Sequence, residues 1–321
     1  MGINMNIVKK VLVVLLALML SGCSTIPMVT DPATVPAVTD QTTVPATTAN
    51  PYPYDYTDPS FFEIENCLNY APKATLLGVL GDKVPFDIKS TKDGYTVAQG
   101  ACSDGTYGYF LQANTSAKIG DAFKEACKII KVDMRTWEIV QESDPLDVCH
   151  GNGMGYNSKT HKLVVSHNKP EFDKVSVVNP ETLQVERVVT LDRNIQSISY
   201  NEQRDQYVVR MSGKWEFAIL DADFNEVSYH ETGVRTPLGS QCMLCDDDYI
   251  YLLDSGVTKM PGMECITVYT WEGEYVGVYR VPSMQETEAI ILYNDKYYLT
   301  FFNGSGTRVY ELQLDKSLLK K

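Results

Sequence analysis

Residues 195–221, IQSISYNEQRDQYVVRMSGKWEFAILD, hold the unit from which the fold is read. Ser199-Tyr200-Asn201 ends one strand-like run, Tyr207-Val208-Val209 forms the next, and Ile219-Leu220-Asp221 closes a third. Short β-branched and aromatic runs cut by Asn, Asp and Gly are strands joined by tight turns. A strand that ends in a turn residue recurs as Ile130-Lys131-Val132-Asp133, Val177-Val178-Asn179, Ile219-Leu220-Asp221, Val268-Tyr269-Thr270 and Leu312-Gln313-Leu314-Asp315. From Asp133 through Asn179, Asp221 and Thr270 to Asp315 the intervals are 46, 42, 49 and 45 residues.

A second register has the same spacing. Ala101 to Phe110 is a strand-turn-strand unit, and so is Gly155-Tyr156-Asn157 leading to Leu163-Val164-Val165. Met243-Leu244-Cys245 leads in the same way to Tyr249-Ile250-Tyr251-Leu252, and Ile291-Leu292-Tyr293 to Tyr297-Tyr298-Leu299. Two registers with a period of roughly 45 residues predict the four-stranded blade of a β-propeller. The surplus in the first unit falls at Thr115 to Ala126, where Phe123-Lys124-Glu125-Ala126 is expected to form a helical turn.

Five units are visible, and the fifth leaves only Lys316 to Lys321 for an outer strand. An unpaired outer edge would leave the ring open. The strand-like run Ala74-Thr75-Leu76-Leu77-Gly78-Val79-Leu80 is therefore expected to supply the missing strand. The alternative is a small N-terminal subdomain with Phe61 to Pro72. The predicted fold is all-β: a five-bladed β-propeller of four-stranded blades, closed by residues 74–80. The repeats resemble the broad group of secreted bacterial propellers with strand–Asp–x–x–Thr–Gly–strand units. That resemblance spans roughly residues 74–315 and implies a fold without implying a function.

The 321 residues are 44% hydrophobic, with 28 Lys+Arg against 41 Asp+Glu. This is too apolar for a disordered chain. A net charge of −13 supplies no basic face, which argues against nucleic acid as a partner and against a polybasic membrane contact.

Lys9 and Lys10 precede the apolar run Val11 to Leu20, followed by Ser21, Gly22 and Cys23. The run is too short to span a bilayer and reads as a secretory signal over residues 1–22. Leu20-Ser21-Gly22-Cys23 resembles the bacterial lipobox, which implies diacylglycerol on the Cys23 thiol and cleavage before it. Residues 24–60 hold nine Thr and seven Pro, with no Gly, Lys or Arg. Residues 23–60 are accordingly a lipidated cysteine and an extended stalk, able to reach about 100 Å at ~3.1 Å per residue. Residues 61–321 form the propeller domain.

Aligning the units on Cys102, Tyr156, Tyr200, Leu244 and Leu292 shows what the innermost strands present. Four residues earlier stand Ala98, Asn152, Gln196, Ser240 and Glu288; six earlier stand Thr96, His150, Asn194, Leu238 and Glu286. The two columns share strand parity and so are expected to face one way. His150, Asn152, Asn194, Gln196, Glu286 and Glu288 are read as a polar ring at the channel mouth, with Gln99 and Gln241, one residue off register, joining it.

Amides, an imidazole and two carboxylates suit hydrogen bonding to a polar ligand. His150, Glu286 and Glu288, with Asn152 beside them, also form a candidate set for a divalent cation. Glu286 and Glu288 are the candidate catalytic acid and base of a hydrolase. Five-bladed glycosidases that resemble this architecture place those acids on different blades, whereas here both fall on one. The reading is therefore a lipid-anchored binding protein on the extracytoplasmic face of the cell membrane. It would recognise a glycan or protein surface without turnover. The alternatives are a carbohydrate-active hydrolase or metal-dependent lyase or lactonase, and a surface scaffold.

Other motifs carry less. Gly151-Asn152-Gly153-Met154-Gly155 misses both phosphate-loop patterns, and its glycines are expected to permit close packing near the axis. Cys242 and Cys245 are three apart on a strand, which points them to opposite faces. Seven cysteines besides Cys23 are read as buried thiols, with a single disulfide involving Cys149 left open. Asp246-Asp247-Asp248 is read as a solvated hairpin turn.

Overall fold

A computed structural model describes residues 75–77, 79–89, 94–119, 122–123, 125–212, 215–232, 238–256, 264–281, 283, 285–302 and 306–319. Cys23, the expected signal and stalk, and residues 61–74 lie outside the described residues. The first two strands, β1 (Thr75–Leu77) and β2 (Val79–Lys89), serve the last two blades. Blade one is β3 (Val97–Ser103), β4 (Tyr107–Asn114), β7 (Ala126–Asp133) and β8 (Glu138–Glu142). Between its second and third strands sits a hairpin of β5 (Lys118–Ile119) and β6 (Ala122–Phe123).

Blade two comprises β9 (Gly153–Asn157), β10 (Lys162–Ser166), β11 (Lys174–Val178) and β12 (Val185–Thr190). Blade three comprises β13 (Ile195–Asn201), β14 (Gln206–Met211), β15 (Glu216–Leu220) and β16 (Glu226–Glu231). Blade four comprises β17 (Gly239–Cys245), β18 (Tyr249–Ser255), β19 (Glu264–Thr270) and β20 (Tyr275–Val281). Blade five contributes β21 (Glu286–Tyr293), β22 (Lys296–Phe302) and β23 (Gly306–Gln313) from the C-terminal end.

The expected closure is present, with its register moved along the chain. The strand that completes blade five is β2, which runs antiparallel to β23 from Val79 opposite Gln313 to Lys89 opposite Gly306. Residues 75–77, assigned to the same strand by sequence, instead lie parallel to β20 on the outside of blade four. The expected helical turn at 123–126 is a correction. Ile119 pairs with Ala122, and Ala126 already pairs with Asn114, so the surplus folds as a hairpin and an extension of β7.

Five apolar clusters fill the five blade junctions. Phe217 and Ile219 of blade three pack with Met243, Leu252 and Trp271 of blade four. Leu111 and Ile129 of blade one pack with Met154 and Leu163 of blade two. Val164 and Val177 meet Ile198 and Val209 between blades two and three. Leu253 and Val268 meet Ile290 and Leu299 between blades four and five. At the closing junction Phe110 and Ile130 meet Ala289 and Ile291, and the Trp137 and Tyr298 rings touch edge-on with centroids 5.3 Å apart. Each such aromatic pair adds about 0.5–1.5 kcal/mol beyond the area it buries.

The inner strands β3, β9, β13 and β21 are mostly buried, whereas the outer strands β8, β12 and β16 carry no buried residue. In blade four the outer β20, which β1 flanks, is more buried than the inner β17. At the axis the glycines perform the role expected of them: a Cβ on Gly153 would lie 2.6 Å from Ser197 Cα, and one on Gly100 would lie 2.7 Å from Gly153 Cα. Cys242 and Cys245 belong to different apolar clusters, as their strand spacing requires. All six described cysteines are buried, Cys149 among them.

Candidate functional site

Each innermost strand enters the ring at its N-terminal end, and four of the five are irregular there. Register shifts fall between Ala98 and Ala101, Ile195 and Ser197, Ser240 and Met243, and Thr287 and Ala289. A bulge inserts a residue and re-aims its side chain. Gln196 and Glu288 are themselves the inserted residues. This corrects the simple parity argument: Gln241, one position off the aligned columns, reaches Glu286 because its strand bulges at that point.

The amides and carboxylates link blades three, four and five. Gln196 Nε2 donates to the Ser240 carbonyl oxygen, and Ser240 Oγ donates to Gln196 Oε1. Gln241 Nε2 donates to Glu286 Oε1 at 2.9 Å. Burial raises the Glu286 carboxyl, and the Gln241 bond offsets part of that. Glu288 is buried, and its carboxyl is raised well above the ordinary range by desolvation, then by the charges of Glu286 and Glu264. Raising the carboxyl favours its protonated form, which presents an O–H donor beside an acceptor oxygen.

Glu264 was not singled out in the sequence. It opens β19, fully buried, and accepts from Ser255 Oγ and Gly256 N at 3.0 Å each, Thr287 N at 3.1 Å, and Thr287 Oγ1. Burial pushes it up to about 8 despite these four donors. The available signal was a glutamate leading the apolar run Cys265-Ile266-Thr267-Val268.

The remaining ring residues take other partners. His150 Nδ1 pairs with Glu125 Oε1 at 3.4 Å. Asn152 Oδ1 accepts from Asn168 Nδ2 at 2.6 Å. Asn194 is exposed, its carbonyl oxygen accepting from Ser212 N at 3.0 Å. Gln99 is buried. Among the described residues, the trio of metal-type donors lying within 4.8 Å of one another is Cys149, His167 and Glu171, rather than His150, Glu286 and Glu288.

At the other end of the inner strands a cavity of about 660 Å³ is lined from all five blades, with Asp104, Glu202, Asp247, Asp248 and Asp295 at its acidic turns. Asp246 beside them is buried, which corrects its reading as a solvated turn residue. It accepts from Tyr251 Oη at 2.8 Å, Tyr297 Oη at 2.6 Å and Lys316 Nζ at 2.6 Å, joining blades four and five. Burial acts to raise its carboxyl, but these donors hold it below the ordinary value.

No protein-family model and no curated protein matches the sequence. Among solved structures, the chain is similar to the Myxococcus xanthus glutaminyl cyclase, with TM-score 0.51 and 12% identity over 76% of this chain and 98% of that one. It is also similar to Kuenenia stuttgartiensis hydrazine synthase, with TM-score 0.42 and 14% identity over 69% of this chain and 59% of that one. The Neurospora crassa Pan2 WD40 domain gives TM-score 0.41 and 9% identity over 74% and 96%. At these identities the likeness is one of fold.

Proposed function

We propose that the protein is a lipid-anchored extracytoplasmic propeller that binds a polar ligand, a glycan or a protein surface, at the bulged ends of its inner strands. The observation that carries this reading is the buried Glu288, its carboxyl raised by desolvation, beside the Gln241–Glu286 bond. A neutral carboxyl offers a donor and an acceptor, and the neighbouring amides offer both again, a set complementary to sugar hydroxyls or peptide groups. A net charge of −13 gives nucleic acid no counterpart. Cys23 in its lipobox-like setting supports tethering to the membrane, since the two acyl chains of a diacylglycerol hold where one binds marginally.

A glycan array probed with the full chain in detergent tests the ligand class, with saturable binding lost in Glu286→Gln/Glu288→Gln as the expected result. Binding unchanged in that variant would remove the site. Cys23→Ala is expected to release the protein from membranes after signal removal.

A second reading, catalysis, is favoured by the same raised carboxyl, which can act as a general acid, together with a fold neighbour that is a glutaminyl cyclase. It requires that Glu288→Gln keep ligand binding and abolish turnover, with a glutaminyl peptide and a set of glycosides as the probes.

A further inference from the structure

Cys149, His167 and Glu171 converge from two loops of blade two and its approach, outside the ring of amides and carboxylates. Cys149 stands four residues before β9, at a left-handed φ of 51°. His167 follows β10 directly, and its backbone N donates to the Lys174 carbonyl oxygen at 2.9 Å, which closes the loop that carries Glu171. Cys149 and His167 are buried, and the Glu171 side chain keeps 28% of its surface.

Two of the three donor separations are those of a coordination polyhedron. His167 Nδ1 lies 3.2 Å from Glu171 Oε2, and Cys149 Sγ lies 3.7 Å from the same oxygen. In a tetrahedral zinc site, bonds of about 2.3 Å to sulfur and about 2.0–2.1 Å to nitrogen and oxygen separate N from O by about 3.3 Å and S from O by about 3.6 Å. All three donor atoms already lie within 4.8 Å of one another.

The surrounding bonds set each ligand for this use. His167 Nε2 contacts Ser176 Oγ at 2.8 Å. With Nε2–H donating to that hydroxyl, the lone pair on Nδ1 faces Cys149 and Glu171, the orientation that outer partners impose on metal-binding histidines. Lys174 Nζ takes the other carboxylate oxygen, Oε1, at 2.9 Å and leaves Oε2 for the site.

We propose that Cys149, His167 and Glu171 bind one borderline divalent cation of the zinc class. One thiolate, one imidazole and one carboxylate supply three ligands, and the exposed flank of Glu171 leaves the fourth position to water or a ligand. Binding releases the Cys149 thiol proton to solvent, and the metal takes the sulfur lone pair in its place. Asn168, adjacent to His167, bonds Asn152, so an occupied site would also stiffen the chain that leads into the channel mouth.

The test uses the full chain, stripped with a chelator and titrated with Zn²⁺ and Co²⁺. One equivalent is expected to bind, to raise Tm, and, for Co²⁺, to give a thiolate-to-metal charge-transfer absorption. Cys149→Ser abolishes that absorption, and Glu171→Gln, at a partly exposed position, weakens binding in a folded protein. Ser176→Ala lowers affinity by about 10- to 100-fold, the usual cost of losing an outer partner. Glu286→Gln/Glu288→Gln leaves metal binding intact. The proposal is overturned by an absorption that persists in Cys149→Ser, or by the absence of stoichiometric binding and of any Tm shift in the wild type.

Discussion

Arg210 on β14 and Asp254 on β18 form an ion pair across the junction of blades three and four, with neither side chain exposed. Arg210 Nη1 also donates to the carbonyl oxygens of Leu253 at 2.6 Å and Gln241 at 3.4 Å. The pair therefore fixes the backbone that carries Gln241 towards Glu286. Arg210→Met removes the charge that offsets buried Asp254 and is expected to cost about 3–5 kcal/mol in denaturant unfolding. The double variant Arg210→Met/Asp254→Leu is expected to recover most of that loss, because well-packed apolar side chains replace a buried pair at little cost. Equal instability of the single and double variants would show that the guanidinium acts through its carbonyl contacts instead.

The axis makes a second expectation specific. Gly153 has a negative φ, but a methyl group there meets the backbone of blade three at 2.6 Å. Gly153→Ala should lower stability by more than about 1–3 kcal/mol, since the obstruction is main chain that cannot rotate away. Gly105 has a φ of 88° with nothing within 4 Å of a new Cβ. Gly105→Ala should therefore cost only backbone strain, about 1 kcal/mol. Thermal melts of the two variants separate packing from conformation, and a smaller loss for Gly153→Ala would refute the close approach of the inner strands.

Five blades and their strand order were legible because each repeat carries its own turn residues and apolar alternation, so errors in one unit are corrected by four others. Closure was legible as a need, but its register was not. Gly78 and Gly81 break the apolar run, and the polar residues of β2, such as Lys83 and Asp87, hide a strand whose partners lie over two hundred residues away. The candidate site was half legible. Gln241 meets Glu286 and Gln196 meets Ser240, but bulges invert parity at the positions that matter, and His150 meets Glu125 instead. The Cys149–His167–Glu171 cluster has no fixed sequence spacing, since only folding of the loop after β10 joins its members.

The position of β2 makes closure testable. Deleting residues 75–89 strips β23 of its outer partner and β20 of its parallel neighbour. An open edge and an uncovered apolar face should lower Tm by about 10 °C or more and broaden the transition, since each kcal/mol corresponds to about 2–4 °C in a domain of this size. A truncated chain that melts as cooperatively as the intact one, at the same temperature, would return the N-terminal strands to a separate subdomain.

Glu264 gives the last expectation a definite sign. Its folded carboxyl sits at about 8 against an ordinary 4.5, so between these values the folded protein holds a proton that the unfolded chain has released. Stability must then fall as pH rises through that window, by up to about 1.4 kcal/mol per pH unit, and level off above it. Glu288 is raised in the same direction and steepens the fall. His167 works oppositely, because burial lowers its pKa and stabilises the fold as pH rises towards its ordinary 6.5. The opposing contribution of His167 fades as pH rises above its ordinary 6.5, so the interval from about pH 7 to 8 reports mainly on the buried carboxyls. Denaturant unfolding across that interval should show wild-type stability decreasing, and Glu264→Gln, which stays uncharged, should show a shallower slope. A flat wild-type profile would mean that the donors from Ser255, Gly256 and Thr287 suffice to keep Glu264 ionised, and that the buried acid at the channel mouth rests on Glu288 alone.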